Sequence, residues 1–209
     1  MSDRILRPDT PIDQGQIPLL MLHGYGANEA DLFMLAADLP GNLYPVALRA
    51  SLDTPFGGYA WFPLHVDNDG NIDARPEDVR QALTDLEKRM QQILRQLNRQ
   101  QAALLGFSQG GMMAYMLADR HPQKFPLVAA LSTYLPGAYA LQADIKPQLF
   151  VSHGLYDDVI PVDKARESIE RLRRHGYTPH YIEYPTGHYL SEENIRDLAL
   201  WFDKQLSKQ

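Results

Sequence analysis

The chain of 209 residues contains no cysteine. That excludes a disulfide framework, a thiol nucleophile, a thiolate metal site and S-palmitoylation. It has no apolar run of membrane-spanning length. The longest nearly unbroken stretch before a glycine, Ile17 to Leu22, is far too short to cross a bilayer. Met1 to Gln16 is polar, carries Asp3, Asp9 and Asp13 and has no apolar h-region, so a secretory signal peptide is not expected. An excess of positive charge is missing too: the formal net charge is −6. The basic residues that do cluster, Arg171, Arg173 and Arg174 with Lys88, Arg89, Arg95 and Arg99, are mixed with acids around expected helices. They read as solvated helix faces and not as a nucleic-acid surface. No H-x-H or H-E-x-x-H spacing suggests a metal site. No repeat and no low-complexity linker divides the chain.

The expectation left by these absences is a soluble, cytoplasmic protein of one domain over 1–209, without metal, nucleic-acid partner or stable membrane insertion. The oligomeric state stays open, a homodimer included. Hydrophobic residues at 44% and charged residues at 22% are ordinary globular proportions.

What is present is alternation. Short apolar runs at Leu19–Leu22, Tyr44–Leu48, Ala102–Gly106, Leu127–Leu131, Gln148–Ser152 and His180–Tyr184 read as buried strands. Helical patterns lie between most of them. Asn28 is placed to cap one helix, and Pro76 to open another whose apolar residues from Val79 to Leu97 recur at helical spacing. Further helices are expected over Met112–Asp119, from Asp163 to near Gly176, and from Ser191 to Phe202. Strands and helices in this order predict an α/β fold: a mostly parallel sheet with helices on both faces. In such sheets chemistry is done in loops after the carboxyl ends of strands.

Those loops hold the informative residues. Gly106-Phe107-Ser108-Gln109-Gly110 fits G-x-S-x-G between an apolar strand and a helical run, the context of a nucleophile turn. A serine hydroxyl needs a base, and the base an orienting acid, in the chain order Ser, Asp, His for this architecture. Asp157 and Asp158 both follow the strand ending at Ser152, and His188 follows the strand ending at Tyr184. His23-Gly24-Tyr25-Gly26 follows the first strong strand. Its turn can aim the Tyr25 amide at the serine, with the Gln109 amide as second oxyanion donor. His153, which opens the acid loop, reads as a buried, hydrogen-bonded structural residue. His65, His121, His175 and His180 read as surface or capping residues. Apolar loop residues near the strand ends, Phe56, Trp61, Phe62, Tyr134, Leu135, Tyr139 and Leu141, are candidates for the pocket wall.

With these residues in view the sequence resembles the phospholipase/carboxylesterase family of α/β hydrolases, which includes bacterial carboxylesterases and acyl-protein thioesterases. The resemblance is carried by His23–Gly26, Gly106–Gly111, Ser132-Thr133-Tyr134-Leu135-Pro136, the His153–Pro161 loop and Gly187-His188, and runs from about Leu19 to Phe202. It implies an α/β-hydrolase fold without a large lid. It implies Ser108 as nucleophile, His188 as base, and Asp157, over Asp158, as acid. Tyr25 and Gln109 are implied as the oxyanion donors. Ala60-Trp61-Phe62 resembles a segment near the family's pocket, so Trp61, Phe62 and Leu135 are expected to bind substrate. The stretch Pro63–Asn71 departs from the thioesterase branch. The function implied is a cofactor-independent carboxylesterase acting on small-molecule, short to medium acyl esters. An acyl-protein thioesterase or lysophospholipase is the alternative, and a non-catalytic binding protein on the same fold the remote one.

Overall fold

A computed structural model describes residues 4–66 and 72–208. Its main sheet contains β1 (Ile5–Leu6), β2 (Ile17–Leu22), β3 (Leu43–Leu48), β8 (Ala103–Phe107), β9 (Leu127–Leu131), β10 (Gln148–Gly154) and β11 (His180–Tyr184), in the spatial order β1-β3-β2-β8-β9-β10-β11. All neighbours run parallel except β1, which pairs antiparallel with β3 at the edge. Two small hairpins, β4 (Leu52–Asp53) with β5 (Tyr59–Ala60) and β6 (His65–Val66) with β7 (Ile72–Asp73), complete the strands. Strand β1 and the hairpins were not expected; two residues are too few to show an alternating pattern.

The central strands β2, β8 and β9 are apolar because both faces are covered. In β2, Leu20 and Leu22 join one core, under α2 (Pro76–Gln96), α3 (Gln109–Arg120) and α4 (Val162–Arg174). Leu19 and Met21 join the other, under α1 (Glu29–Phe33) and α5 (Glu192–Leu206). Helix starts follow their caps. The Asn28 side chain accepts from Ala30 N at 2.8 Å while Asp31 accepts from Asn28 N at 2.7 Å. Ser191 Oγ accepts from Asn194 N at 3.2 Å. These pairs satisfy amides that have no partner inside the helix. Helix α1 tightens after Phe33 into a 3-10 turn over Met34–Asp38, a shape that periodicity does not distinguish from a continued helix.

One charged residue sits inside this frame. Glu29, at the first turn of α1, is buried and takes Arg49 Nε and Nη2 at 2.7 and 2.8 Å, with Arg4 Nε at 3.2 Å. Burial raises the Glu29 carboxyl, but the Arg49 hydrogen bonds and charge, with Arg4 behind them, outweigh it and hold it below the ordinary value. A depressed folded-state value means the contribution to stability is complete above the unfolded value and is lost as pH falls through the folded one. Glu29→Gln is therefore expected to cost about 2 kcal/mol near neutral pH, since it leaves Arg49 without its partner. It should also flatten the loss of stability on acidification. Urea unfolding at neutral and acid pH measures both, and unchanged stability at neutral pH would show the ion pair to be idle.

Candidate active site

Strand β8 delivers Ser108 into a turn with φ 52° and ψ −119°, a conformation that costs a non-glycine residue free energy. The flanking glycines let the chain make that turn. A Cβ on Gly106 would lie 2.3 Å from Gly110 O, and one on Gly110 would lie 2.0 Å from Leu22 O and 2.6 Å from His23 O. The turn is also held from below. Ser108 N donates to Leu131 O at 2.9 Å, and Thr133 Oγ1 donates to Ser108 O at 2.7 Å. Helix α3 starts at Gln109, three residues earlier than the apolar pattern indicated, because Gly110 and Gly111 carry no side chain to show the period.

Strands β10 and β11 bring the other two residues. Tyr156 N donates to Thr186 O at 2.9 Å and Leu155 N to Tyr184 O at 2.8 Å, stitching the two loops together. Gly154 permits the contact, since a Cβ there would sit 2.3 Å from Gly187 O. The result is a line of three side chains. His188 Nδ1 lies 2.7 Å from Asp157 Oδ2, and His188 Nε2 lies 3.0 Å from Ser108 Oγ. A carboxylate oxygen only accepts, so Nδ1 carries the ring proton and Nε2 offers its lone pair to the Ser108 hydroxyl. Asp158, the neighbour, points to solvent.

The Asp157 carboxylate is fully surrounded. Its Oδ1 accepts from Val159 N at 3.0 Å and Ile160 N at 2.8 Å. A second imidazole also reaches Oδ2: His153 Nε2 lies 3.3 Å away while donating to Ile160 O at 2.7 Å. His153 is buried and hydrogen-bonded, as expected; that it touches the acid was not legible from its position in the loop. The remaining histidines sit apart. His65 pairs with Asp78, His121 with Glu87, His175 bonds to Arg171 O, and His180 stacks on Phe150.

Beside Ser108 lies the loop after β2. A Cβ on Gly24 would meet Ser108 Cβ at 3.3 Å, so Gly24 lets this loop press against the serine. His23 braces it: its Nε2 accepts from Ala50 N at 3.0 Å, leaving Nδ1 to donate to Gly24 O at 2.7 Å. Burial lowers the His23 pKa, in keeping with a neutral ring. Tyr25 follows in this loop and is partly exposed. Gln109 is the first residue of α3, where an amide has no acceptor within the helix. Its buried side chain has a separate role: Oε1 accepts from Trp61 N and Nε2 donates to Phe62 O, both at 2.8 Å.

That clamp fixes the segment expected to form the pocket, and here the structure differs from expectation. Trp61 is only 5% exposed, its indole N–H donates to His23 O at 2.8 Å, and its ring packs on His23. It lies behind the His23–Gly26 loop as a brace. A cavity of about 830 Å³ opens one helical turn beyond Ser108, and Phe62, Tyr134, Leu135 and Tyr139 are on its wall. Trp61, Phe56 and Leu141 are not; Phe56 is 99% exposed. Buried Asp119, which sequence reasoning missed, anchors that wall by accepting from Tyr139 Oη at 2.9 Å, Gln142 N at 3.0 Å and Ala143 N at 3.1 Å, and from Tyr177 Oη. The departing stretch 63–71 lies partly outside the described residues, at 67–71. Among the described residues no helix is long and apolar enough to cross a membrane.

Known proteins match both the sequence and the fold. A "Probable inactive carboxylesterase" from Oryza sativa subsp. japonica is 28% identical over 91% of this chain and 85% of its own length. An acyl-protein thioesterase 1 from Mycosarcoma maydis is 29% identical over 50% of this chain and 48% of its own. The crystal structure of the Bacillus cereus carboxylesterase superposes with a TM-score of 0.84 at 18% identity, covering 97% of this chain and 94% of that one, and establishes the fold as that of the α/β hydrolases. The sequence profile of the phospholipase/carboxylesterase family spans residues 8–206, and the chain belongs to that family.

Proposed function

We propose that this chain is a serine carboxylesterase that hydrolyses short to medium acyl esters through an acyl-enzyme on Ser108. The observation that carries the reading is the unbroken line from Ser108 Oγ through His188 to Asp157, with contacts of 3.0 and 2.7 Å. Ser108 Oγ attacks the acyl carbonyl carbon as its proton passes to His188 Nε2. Asp157, held by the Val159 and Ile160 amides, keeps the imidazole in the required tautomer and stabilises the imidazolium. The tetrahedral oxyanion is received by the amides of Tyr25 and Gln109. His188 then returns the proton to the departing alkoxide oxygen, leaving an ester on Ser108. Water, deprotonated by His188, repeats the sequence and frees the carboxylic acid. No step calls for a cofactor.

The acyl chain is assigned to the cavity beyond Met112, whose volume is that of a small-ligand site. Phe62 and Leu135 bound it, and Trp61 acts by bracing the His23 loop. Thioester hydrolysis on an acylated protein uses the same three side chains. One observation favours keeping it as the second reading: the partial match to an acyl-protein thioesterase.

Two outcomes check these assignments. Asp157→Asn should lower ester turnover by about 10⁴, because the imidazole loses both its tautomer and its stabilising charge, while Asp158→Asn should have little effect. The reverse order in steady-state kinetics would move the acid one residue along. In an ester series of increasing acyl length, Phe62→Ala and Leu135→Ala should shift the best chain length, since each methylene buried in the wild-type cavity gains about 0.8 kcal/mol. Trp61→Ala should instead depress all lengths together. A shifted optimum in Trp61→Ala with none in the cavity variants would return the length-setting role to Trp61.

A further inference from the structure

The cavity wall is cationic although the chain as a whole is acidic. The whole chain has 26 acidic and 20 lysine or arginine residues. Among the described residues the cavity wall carries Arg80, Arg120, Lys164, Arg171 and Arg174 against a single carboxylate, Glu167. Arg120 is neutralised by Glu87 at 2.8 Å. Arg171 Nη1 and Arg174 Nε donate only to backbone carbonyls, Pro136 O at 2.8 Å and Glu170 O at 3.4 Å, and Lys164 lies 4.9 Å over the Tyr134 ring. Among the described residues none of Arg80, Lys164, Arg171 and Arg174 has an ion-pair partner.

The cavity wall is built from faces of α2, α3 and α4. Met112, Met116 and Arg120 are spaced i, i+4, i+8 on one face of α3, roughly 6, 12 and 18 Å along the axis from Ser108. Met112 N bonds to Ser108 O at 3.2 Å, and its side chain leans back toward the helix N-terminus, so the apolar end of the cavity is the end next to the nucleophile. Helix α4 presents Lys164, Ser168 and Arg171 at i, i+4 and i+7, and α2 presents Pro76, Arg80 and, one turn on, Leu83. Three helix faces form the cleft: the far parts of α3 and α4 are cationic, with Arg120, Arg171 and Arg174, while Lys164 lies in the first turn of α4 and Leu83 follows Arg80 on α2. Arg171 is half-buried and fixed by the loop it holds, with most of its guanidinium donors left for an anion.

We infer that the preferred ester carries an anion, a carboxylate or a phosphate, separated from the reacting carbonyl by an apolar segment. The inference rests on the proposed esterase chemistry for the position of the ester, while the anion site itself rests on the cavity alone. Two kinds of measurement keep these apart. In kinetics, a mono-p-nitrophenyl ester of suberic acid and p-nitrophenyl octanoate offer chains of equal length with and without the terminal carboxylate. In calorimetry, suberamic acid, octyl phosphate and octanamide report binding without any hydrolysis.

The anionic ester should have the higher kcat/KM by about five-fold at low salt, the factor given by one contact at a partly exposed site. The ratio should approach unity near 1 M salt, where screening acts within about 3 Å. Arg171→Gln should abolish the ratio. Arg80→Gln with Lys164→Gln, at exposed positions, should lower it as well. Arg173→Gln, on α4 but off the cavity wall, should leave it at the wild-type value. Suberamic acid and octyl phosphate should bind more tightly than octanamide, and the tighter of the two identifies the headgroup. Equal or weaker binding of both anions, or a ratio that the Arg171 and Arg80/Lys164 variants leave unchanged, overturns the inference. Preferential anion binding with no turnover of either ester would retain the anion site and overturn the esterase reading instead.

Discussion

The contact of Gly110 with the end of β2 is the constraint on which the site depends. Where the first turn of α3 passes Leu22 O and His23 O there is no room for even one methyl group. That closeness has two consequences. It ties the helix that starts beside Ser108 to the loop carrying Tyr25, so the proposed oxyanion donors and the Ser108 hydroxyl are positioned by one backbone junction. It also holds Ser108 in an unfavourable conformation, with its hydroxyl lifted from the strand end toward His188. Gly24 and Gly154 extend the same device to the neighbouring loops. The site is thus assembled by close backbone approaches at the carboxyl edge of a parallel sheet, where four adjacent or near-adjacent strands, β2, β8, β10 and β11, release their loops on one side.

Polar side chains then hold what the backbone brings together. Gln109 spans from α3 to Trp61 and Phe62, Trp61 reaches His23 O, and His23 closes on Ala50 and Gly24. On the other side Asp157 takes two backbone amides and faces two imidazoles. A carboxylate so fully supplied with donors cannot rotate without losing several bonds, which fixes the ring of His188 in turn. Apart from His153 Nδ1, which is buried without a partner, and His188, which is partly exposed, these groups are buried and hydrogen-bonded, so they direct the geometry without leaving unpaired charge in the core.

Much of this was legible in the sequence, for definite reasons. Six apolar runs marked the long strands because both faces of a parallel sheet are buried. Asn28 and Ser191 marked helix starts because an amide needs a cap. Ser108, Asp157 and His188 stood out because each follows a strand and their order suits the chemistry. What escaped detection depends on tertiary contacts. Nothing in the spacing shows that His153 touches Asp157, that Asp119 anchors the cavity wall, or that the Gln109 side chain is a clamp. Trp61 was expected to face substrate because a large aromatic near a strand end suits either a pocket or a core, and only its indole bond to His23 O distinguishes them. The basic residues of α4 were read as a solvated face; their spacing alone did not show that Arg171 and Arg174 border a cavity.

On the proposed reading the cleft and the line of Ser108, His188 and Asp157 divide the work: the line would supply the chemistry of ester hydrolysis, while the cleft would set what is hydrolysed. Both parts of that proposal depend on Ser108 as the residue that becomes acylated. That role is tested most directly by treating the folded protein with an alkyl fluorophosphonate and locating the adduct by peptide mass spectrometry. A single adduct on Ser108, absent from Ser108→Ala, is the predicted result. An adduct on any other residue, or none on the folded wild-type protein, would contradict it.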